Sequence, residues 1–318
     1  MNKPEISVVF TSYNHKEYLR QALDSILTQS FENFELIIID DCSTDGSQEV
    51  LKEYADKDRR IRLTLNESNS GSYVHSTNQG ASLAITPYLI FAQCDDYAEP
   101  NQFEELYKAI TCNNVGVAFS RSNLVDEQGK FISTDFEGRD RLFKKECKSS
   151  GLIRRENAFT SLLESCMIPN LSAAIIKREA FEQLKGLSSQ YLVLADWDFW
   201  FRMTQSYDFF YIATPLNNFR QHQNTIRSTV KETRQWTERF KMYENAISIA
   251  PKREKEVINY LAQGWVFSLY SDTHWWIESR KEIMKLGNNM FDHWTLSVIK
   301  AFIKAPVLFV QHKLLKIF

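Results

Sequence analysis

Several things are scarce in this 318-residue chain, and each scarcity excludes something. There are five cysteines and no C-x-x-C pair, which is neither a disulfide framework nor a zinc knuckle and fits a reducing cytosol. No run of 18 or more apolar residues occurs, so a membrane-spanning helix is not expected. Met1 to Glu5 is polar, and the apolar run after it, Ile6 to Phe10, is too short for the hydrophobic stretch of a signal peptide. Neither sign of charge dominates: 38 Lys+Arg face 40 Asp+Glu, which argues against the basic footprint of a dedicated nucleic-acid binder. Internal repeats and low-complexity segments are absent. What is present, 43% hydrophobic and 25% charged residues, is the composition of a globular protein with chain enough for one large or two modest domains.

The charge balance is an average. The last 24 residues, from Thr295, hold Lys300, Lys304, Lys313 and Lys316 and no acidic residue, leaving 34 basic against 40 acidic residues before them. In this tail Lys300, Lys304 and Gln311 project to one side of a helix, with Ile299, Phe302 and Ile303 away from them, and Pro306 interrupts it. A basic, apolar, acid-free helix reads as an interfacial anchor on an anionic membrane. The alternative is a terminal helix packed on the domain with its lysines in water.

The first third alternates between two periods. Short β-rich runs at Ile6–Phe10, Phe34–Ile39, Ile61–Leu65 and Tyr88–Phe91 are separated by helical spacings over Tyr18–Gln29, Gln48–Asp56 and Val74–Ala84. That rhythm predicts a parallel sheet with helices on both faces, in which ligands sit beyond the carboxyl ends of the strands. Three polar clusters fall at those ends: Thr11-Ser-Tyr-Asn14, Asp40-Asp41 and Asp95-Asp96. Further on, Val115–Asn123 and Leu171–Lys177 read as strands, Asp126–Gly129 as a hairpin turn leading to Phe131, and residues 135–155 as charged loop. A helix opens near Asp196, and from Thr229 the chain reads helical almost to its end, with five of the seven tryptophans.

Each cluster has a chemical and a plain reading. Adjacent carboxylates at Asp95-Asp96 are costly unless a cation or hydrogen-bond donors compensate, and such oxygen ligands suit Mg²⁺ or Mn²⁺. The same residues, with Pro100, also read as the cap of a helix starting near Asn101. Asp40-Asp41 reads as a turn and helix cap, or as an acceptor for a base or ribose. Tyr13 can stack on a base or simply pack. Asp196, beside Trp197, Phe199 and Trp200, is a candidate general base or a plain capping residue. His222 lies in a polar stretch with Arg220 and Arg227, a group able to bind a diphosphate or complete a metal shell. The cysteines read as packing residues.

Taken in order, Ile6-Ser-Val-Val-Phe-Thr-Ser-Tyr-Asn14, Gln29 through Gly46, Asn69-Ser-Gly71, Asn78-Gln-Gly80 and Cys94-Asp-Asp96 resemble the family 2 glycosyltransferases of GT-A fold over roughly residues 4–228. The resemblance implies an α/β fold with a Rossmann-like mixed sheet flanked by helices over residues 1–228, followed by a helical region over 229–318. It implies that Thr11, Tyr13, Asp41, Asn69 and Asp95 bind the nucleotide, that Asp96, Asp95 and His222 hold Mn²⁺ or Mg²⁺, and that His222 and Arg227 form the diphosphate-side loop. Asp196 is placed like the family's catalytic base. Two departures stand out. Gln93 replaces the first Asp of Asp-x-Asp-Asp, so metal ligation is expected to fall on Asp96 with Asp95, and Ala195 replaces the acidic residue before the base.

The implied activity is metal-dependent, inverting transfer of a hexosyl-type sugar from a nucleotide-diphosphate donor to a hydroxyl of a glycan or lipid-linked acceptor in surface polysaccharide or cell-envelope synthesis. Asp41 suits a uracil or thymine imide, so UDP-sugars lead and dTDP-sugars follow. The expected location is the cytoplasm, at the inner face of the membrane. Trp265, Trp275 and Trp276 read as core, with sugar stacking as the alternative. A sugar-nucleotide-binding protein without catalysis is the rival reading; it has no use for Asp196. A signalling receiver domain would place its acidic pair after the first strand, where Thr11-Ser-Tyr-Asn14 stands. A nucleotidyltransferase would carry a Gly-rich basic loop there, which is absent.

Overall fold

The computed structural model describes residues 3–168, 170–223, 230–271, 277–292 and 294–301, with side chains of 267–271 and 277–280 left aside. In chain order the first half runs β1 (Ile6–Ser12), α1 (Lys16–Leu27), β2 (Phe34–Asp40), α2 (Ser47–Lys57), β3 (Ile61–Leu65), α3 (Tyr73–Ser82), β4 (Tyr88–Gln93), β5 (Tyr97–Ala98), α4 (Gln102–Asn113), β6 (Val117–Val125) and β7 (Phe131–Thr134). It continues with α5 (Arg141–Glu146), β8 (Gly151–Ile153), α6 (Arg155–Glu164), β9 (Ala174–Lys177), α7 (Arg178–Gln183), α8 (Ala195–Met203) and β10 (Phe209–Arg220). The last elements are α9 (Glu232–Ile249), α10 (Glu254–Ser271) and α11 (Ile277–Met290).

Every residue of β1 and β2 is buried, which explains their near-continuous apolar character: helices cover both faces of the sheet. Successive side chains go to opposite sides. Val8, Phe10, Leu36 and Ile38 pack under α1, α2 and α4, whereas Val9, Ile37, Ile39 and Phe91 join the core on the other side. Gly80 marks how close α3 lies to β1 there. A methyl group at Gly80 would sit 2.4 Å from Val9 Cγ1.

The sheet order is β3-β2-β1-β4-β9-β6-β10-β5, with β7 on β6 and β8 on β10. β1, β2, β3 and β4 are mutually parallel neighbours, but β9 runs antiparallel to both β4 and β6. The sheet is therefore mixed, as the resemblance implies; the strand–helix rhythm alone predicted a purely parallel one. Chain order reverses between β1 and β4, the crevice where ligands gather in open α/β sheets. Pairing of Ser12 with Asp40 and of Thr11 with Gln93 leaves the ends of β1, β2 and β4 level.

One stretch differs from the sequence reading, and a strand beyond it carries a proline. Residues 135–155 are not loop but hold α5 and β8, elements that bury little more than Phe143 and Ile153 and whose partners lie elsewhere in the chain. β10 carries Pro215 within a strand, which is tolerated because the register with β6 shifts on either side of it.

The C-terminal helices are not a separate body. Trp236, Phe240, Tyr243, Trp265 and Trp294 belong to the same core cluster as Val9, Phe91 and Trp200. Trp294, just before the tail, and Val298 and Ala301 within its described part face that core, while Leu296 and Ile299 are exposed. The buried face is thus not the Ile299 side. Phe302, Ile303, Lys304 and the remainder of the tail, Trp275, Trp276 and the 228/229 boundary lie outside the described residues. Among the described residues no helix is long and apolar enough to cross a membrane.

Candidate functional site

The loops after β1 and β2 brace each other. Asn14 takes a left-handed conformation, φ 50°, as does Cys42 at φ 66°, a backbone state that L-residues adopt only when surroundings hold them. Here Asn14 N donates to Ser43 Oγ at 2.9 Å, and Asn14 Oδ1 accepts from Thr44 N at 2.8 Å. Asp40 is fully buried and accepts from Ser43 N, Ser43 Oγ and Gln48 Nε2. It braces the turn after β2, the plainer of the two readings, without capping α2, whose N-cap is Gly46.

Asp41 is also buried, and its carboxylate is occupied. Oδ2 accepts from Ser70 Oγ at 2.8 Å, and Oδ1 from Asn66 Nδ2 at 3.1 Å. Asp41 thereby fixes the loop before α3, where the Asn69 side chain accepts from Gly71 N. Thr11 is buried within β1, whereas Tyr13 is 43% exposed at the sheet's end. Of the expected nucleotide contacts, Tyr13 and Asn69 face solvent, and Asp41 holds the loop that carries Asn69.

Asp95 and Asp96 follow β4 but diverge. Asp95 Oδ2 lies 3.0 Å from His222 Nε2. His15, Asp95 and His222 each offer a ligand atom within 4.8 Å of the others, the one such group among the described residues. Asp96 is outside it. Its Oδ1 accepts from Arg220 N at 3.1 Å and its Oδ2 from Asn170 Nδ2 at 3.2 Å. Burial pushes the Asp96 carboxyl well above the usual range, the charge of Asp95 adds to this, and the Arg220, Ser172 and Asn170 donors oppose it. Asp96, expected to lead metal ligation, has each oxygen on a protein donor, whereas Asp95 faces the histidines.

Arg220, which the sequence groups with His222 as able to bind a diphosphate or complete a metal shell, is engaged within the protein. Its side chain is buried, with Nε on Asp95 O (2.8 Å), Nη1 on Glu127 O (2.7 Å), Nη2 on Gln21 Oε1 (2.6 Å), and its guanidinium 4.5 Å from the Tyr18 ring. It ties the Asp95 loop, the β6–β7 turn and α1 together and leaves little for a ligand. Arg227 lies outside the described residues.

The donor set fits a divalent ion. His15 Nδ1 is 2.8 Å from Tyr13 O; a carbonyl only accepts, so Nδ1 carries the proton and the neutral ring's lone pair is at Nε2, the fixed tautomer usual for a metal-binding imidazole. Two imidazoles and a carboxylate favour Mn²⁺ over Mg²⁺, which prefers oxygen alone. Sequence reading missed His15. Its signal was position, one residue past the polar cluster ending β1.

Asp196 is half-buried in the first turn of α8, where its Oδ1 accepts from Trp197 N at 2.7 Å. It neighbours Tyr73, the first residue of α3: burial raises the Tyr73 phenol well above its usual range, and the Asp196 charge adds to the effect. Asp196 thus lies beside the buried Tyr73 phenol and outside the His15–Asp95–His222 group.

Comparison with known proteins agrees with this architecture. Residues 7–185 match the model of the family described as glycosyl transferase family 2. TuaG of Bacillus subtilis (strain 168), a glycosyltransferase named for teichuronic acid biosynthesis, is 34% identical over 134 residues, 41% of this chain and 53% of that protein. The chain thus matches about half the length of that relative. S. aureus TarS 1-349 with UDP-GlcNAc superposes with TM-score 0.69 at 17% identity, covering 90% of this chain and 80% of that one. The mannosyltransferase PcManGT from Pyrobaculum calidifontis, in complex with GDP-Man and Mn²⁺, gives 0.57 at 15%, covering 99% and 84%.

Proposed function

The chain belongs to glycosyl transferase family 2, and from that premise we propose that it transfers a sugar from a nucleoside-diphosphate donor, a UDP-sugar first, to a hydroxyl of a glycan or lipid-linked acceptor in cell-envelope polysaccharide synthesis. The observation that carries the reading is the grouping of His15, Asp95 and His222 at the β1/β4 crevice, with the Asp196 carboxylate in the first turn of α8. UDP-GlcNAc in TarS and the teichuronic acid name of TuaG support the donor class and the envelope setting.

Tyr13, exposed at the sheet's end, offers its ring to the base. Thr11, Asp41 and Asn69 shape the nucleotide cleft, the buried Asp41 by holding the Asn69 loop in place. His15, Asp95 and His222 would hold Mn²⁺, which when bound supplies positive charge against the departing diphosphate. Asp196 accepts the acceptor hydroxyl's proton as that oxygen bonds to the anomeric carbon. The bond from that carbon to the diphosphate oxygen breaks with its electron pair, so the nucleoside diphosphate leaves and the centre inverts. The tail over 295–318 is assigned to contact with an anionic membrane surface at the inner face of the cell membrane.

The test is nucleoside-diphosphate release from a panel of UDP-, dTDP- and GDP-sugars with Mn²⁺, with Asp196→Asn alongside. General-base assistance is worth roughly 10²–10⁴-fold. The variant should lose turnover by that order and bind UDP as the parent does. Full turnover in Asp196→Asn refutes the base assignment, and binding without turnover in the parent favours a non-catalytic binding protein.

A further inference from the structure

The segment that delivers Asp196 has no cap of its own. Leu194 occupies the N-cap of α8 and offers no side-chain acceptor. Three successive backbone N–H groups there donate instead to one carboxylate from the C-terminal helices. Leu192 N reaches Glu238 Oε1 at 2.9 Å, and Val193 N and Leu194 N reach Glu238 Oε2 at 2.9 and 3.2 Å. Arg234 Nε adds a contact to Oε1 at 3.2 Å. Glu238 is 3% exposed, a burial its charge tolerates because four donors and the positive end of α8 surround it.

Docking of α9 on α8 does not rest on Glu238 alone. That contact is already made by Asn245 Nδ2 on Asp198 Oδ1 (3.2 Å) and by Phe201 against Tyr243. Asp198 in turn holds Arg202, whose Nη atoms fix Leu184 O and Gly186 O. Beyond Arg234 on its own helix, the hydrogen bonds of Glu238 go to the backbone two to four residues before Asp196. We propose that Glu238 is a positioning residue that clamps 192–194 and so aims the Asp196 carboxylate at the acceptor hydroxyl, making the C-terminal helical region part of the catalytic apparatus. The inference rests on Asp196 being the base.

Glu238→Gln is isosteric but replaces one carboxylate oxygen by an amide N–H₂ that faces N–H donors, so one arm of the clamp opens while size is kept. In the full chain with Mn²⁺, three quantities are read: hydrolysis of whichever panel sugar nucleotide is turned over fastest, the Kd for its nucleoside diphosphate, and amide hydrogen exchange over 190–197. The clamp predicts faster exchange at 192–194, kcat lowered roughly 10- to 100-fold, and Kd within about twofold. In an Asp196→Asn background Glu238→Gln should cost nothing more, because it acts through Asp196. Arg234→Ala, which leaves the carboxylate in place, should keep about half the rate or better. Should Glu238→Gln fail to fold, Glu238→Asp keeps the charge on a shorter arm and should show the same kcat loss in weaker form.

Unchanged kcat, a Kd weakened as much as kcat, or an equal further loss in the Asp196→Asn background each overturns the clamp. Full turnover in Asp196→Asn alone instead refutes the base reading.

Discussion

Asp95 and Asp96 are chemically identical neighbours with opposite surroundings, and single substitutions should separate them. Asp95→Asn removes the one carboxylate of the His15–Asp95–His222 group, so Mn²⁺ affinity, read by titration of the Mn²⁺ resonance signal, should fall about tenfold or more. Asp96→Asn leaves a buried donor facing Arg220 N or Asn170 Nδ2, so it should cost about 1–3 kcal/mol of stability with Mn²⁺ affinity nearly intact. A larger loss of Mn²⁺ affinity in Asp96→Asn than in Asp95→Asn would return ligation to Asp96. Asp135 gives a pH signature. Burial pushes its carboxyl up to about 6, against the Ser122 backbone and the Arg139 and Arg121 charges. The folded chain therefore holds a proton that the unfolded chain releases near pH 4, and this contribution to stability is lost as pH rises from about 4 to about 6. Asp135→Asn should abolish that dependence and be more stable than the parent at pH 7, by about 3 kcal/mol at most. Denaturant midpoints of both proteins at pH 4 and pH 7 measure it, and parallel pH trends exclude the effect.

Elements meet at fixed separations, and α3 on β1 is the tightest of those described above. Gly80→Ala would put a methyl 2.4 Å from Val9 Cγ1 and 3.2 Å from Ile39 Cγ1. The overpacking costs about 1–3 kcal/mol, against a helix-propensity gain of about 1 kcal/mol. The net expectation is a lower urea midpoint, partly restored by Val9→Ala; a raised midpoint in Gly80→Ala would show that α3 lies farther off. Elements with strong periodicity were legible. α1 buries Leu19, Ala22, Leu23 and Ile26 and half-buries Leu27, the five apolar positions at helical spacing in this segment. α5 and β8 were not legible, because six- and three-residue elements owe their form to tertiary partners more than to pattern.

Over the whole molecule one core cluster runs from Val9 in β1 to Ala301. A chain ending at residue 223 would strip Trp236, Phe240 and Tyr243 from the core cluster that includes Trp200 and Phe201. It should lose cooperative unfolding, as judged by thermal denaturation. A chain ending after Ala301 keeps the buried Trp294, Val298 and Ala301 and should melt as the full chain does. That shorter chain should no longer sediment with vesicles containing anionic lipid, if 302–318 supplies the membrane contact. Persistent sedimentation would point to another surface, and a large fall in melting temperature would mean the tail packs on the domain.

Sequence alone determined what depends on local period and local chemistry. The βα rhythm, the polar clusters at strand ends and the motif resemblance placed the fold and drew attention to Tyr13, Asp95, Asp196 and His222. Tertiary structure decided which of two adjacent aspartates is committed to protein donors. It also decided that Arg220 is structural, that His15 joins Asp95 and His222, and that Glu238 braces the segment before Asp196. Those outcomes depend on burial and on partners up to 199 residues away, as between Gln21 and Arg220. Nothing in the spacing of neighbouring residues encodes such encounters; they exist only once the sheet has brought its strand ends level.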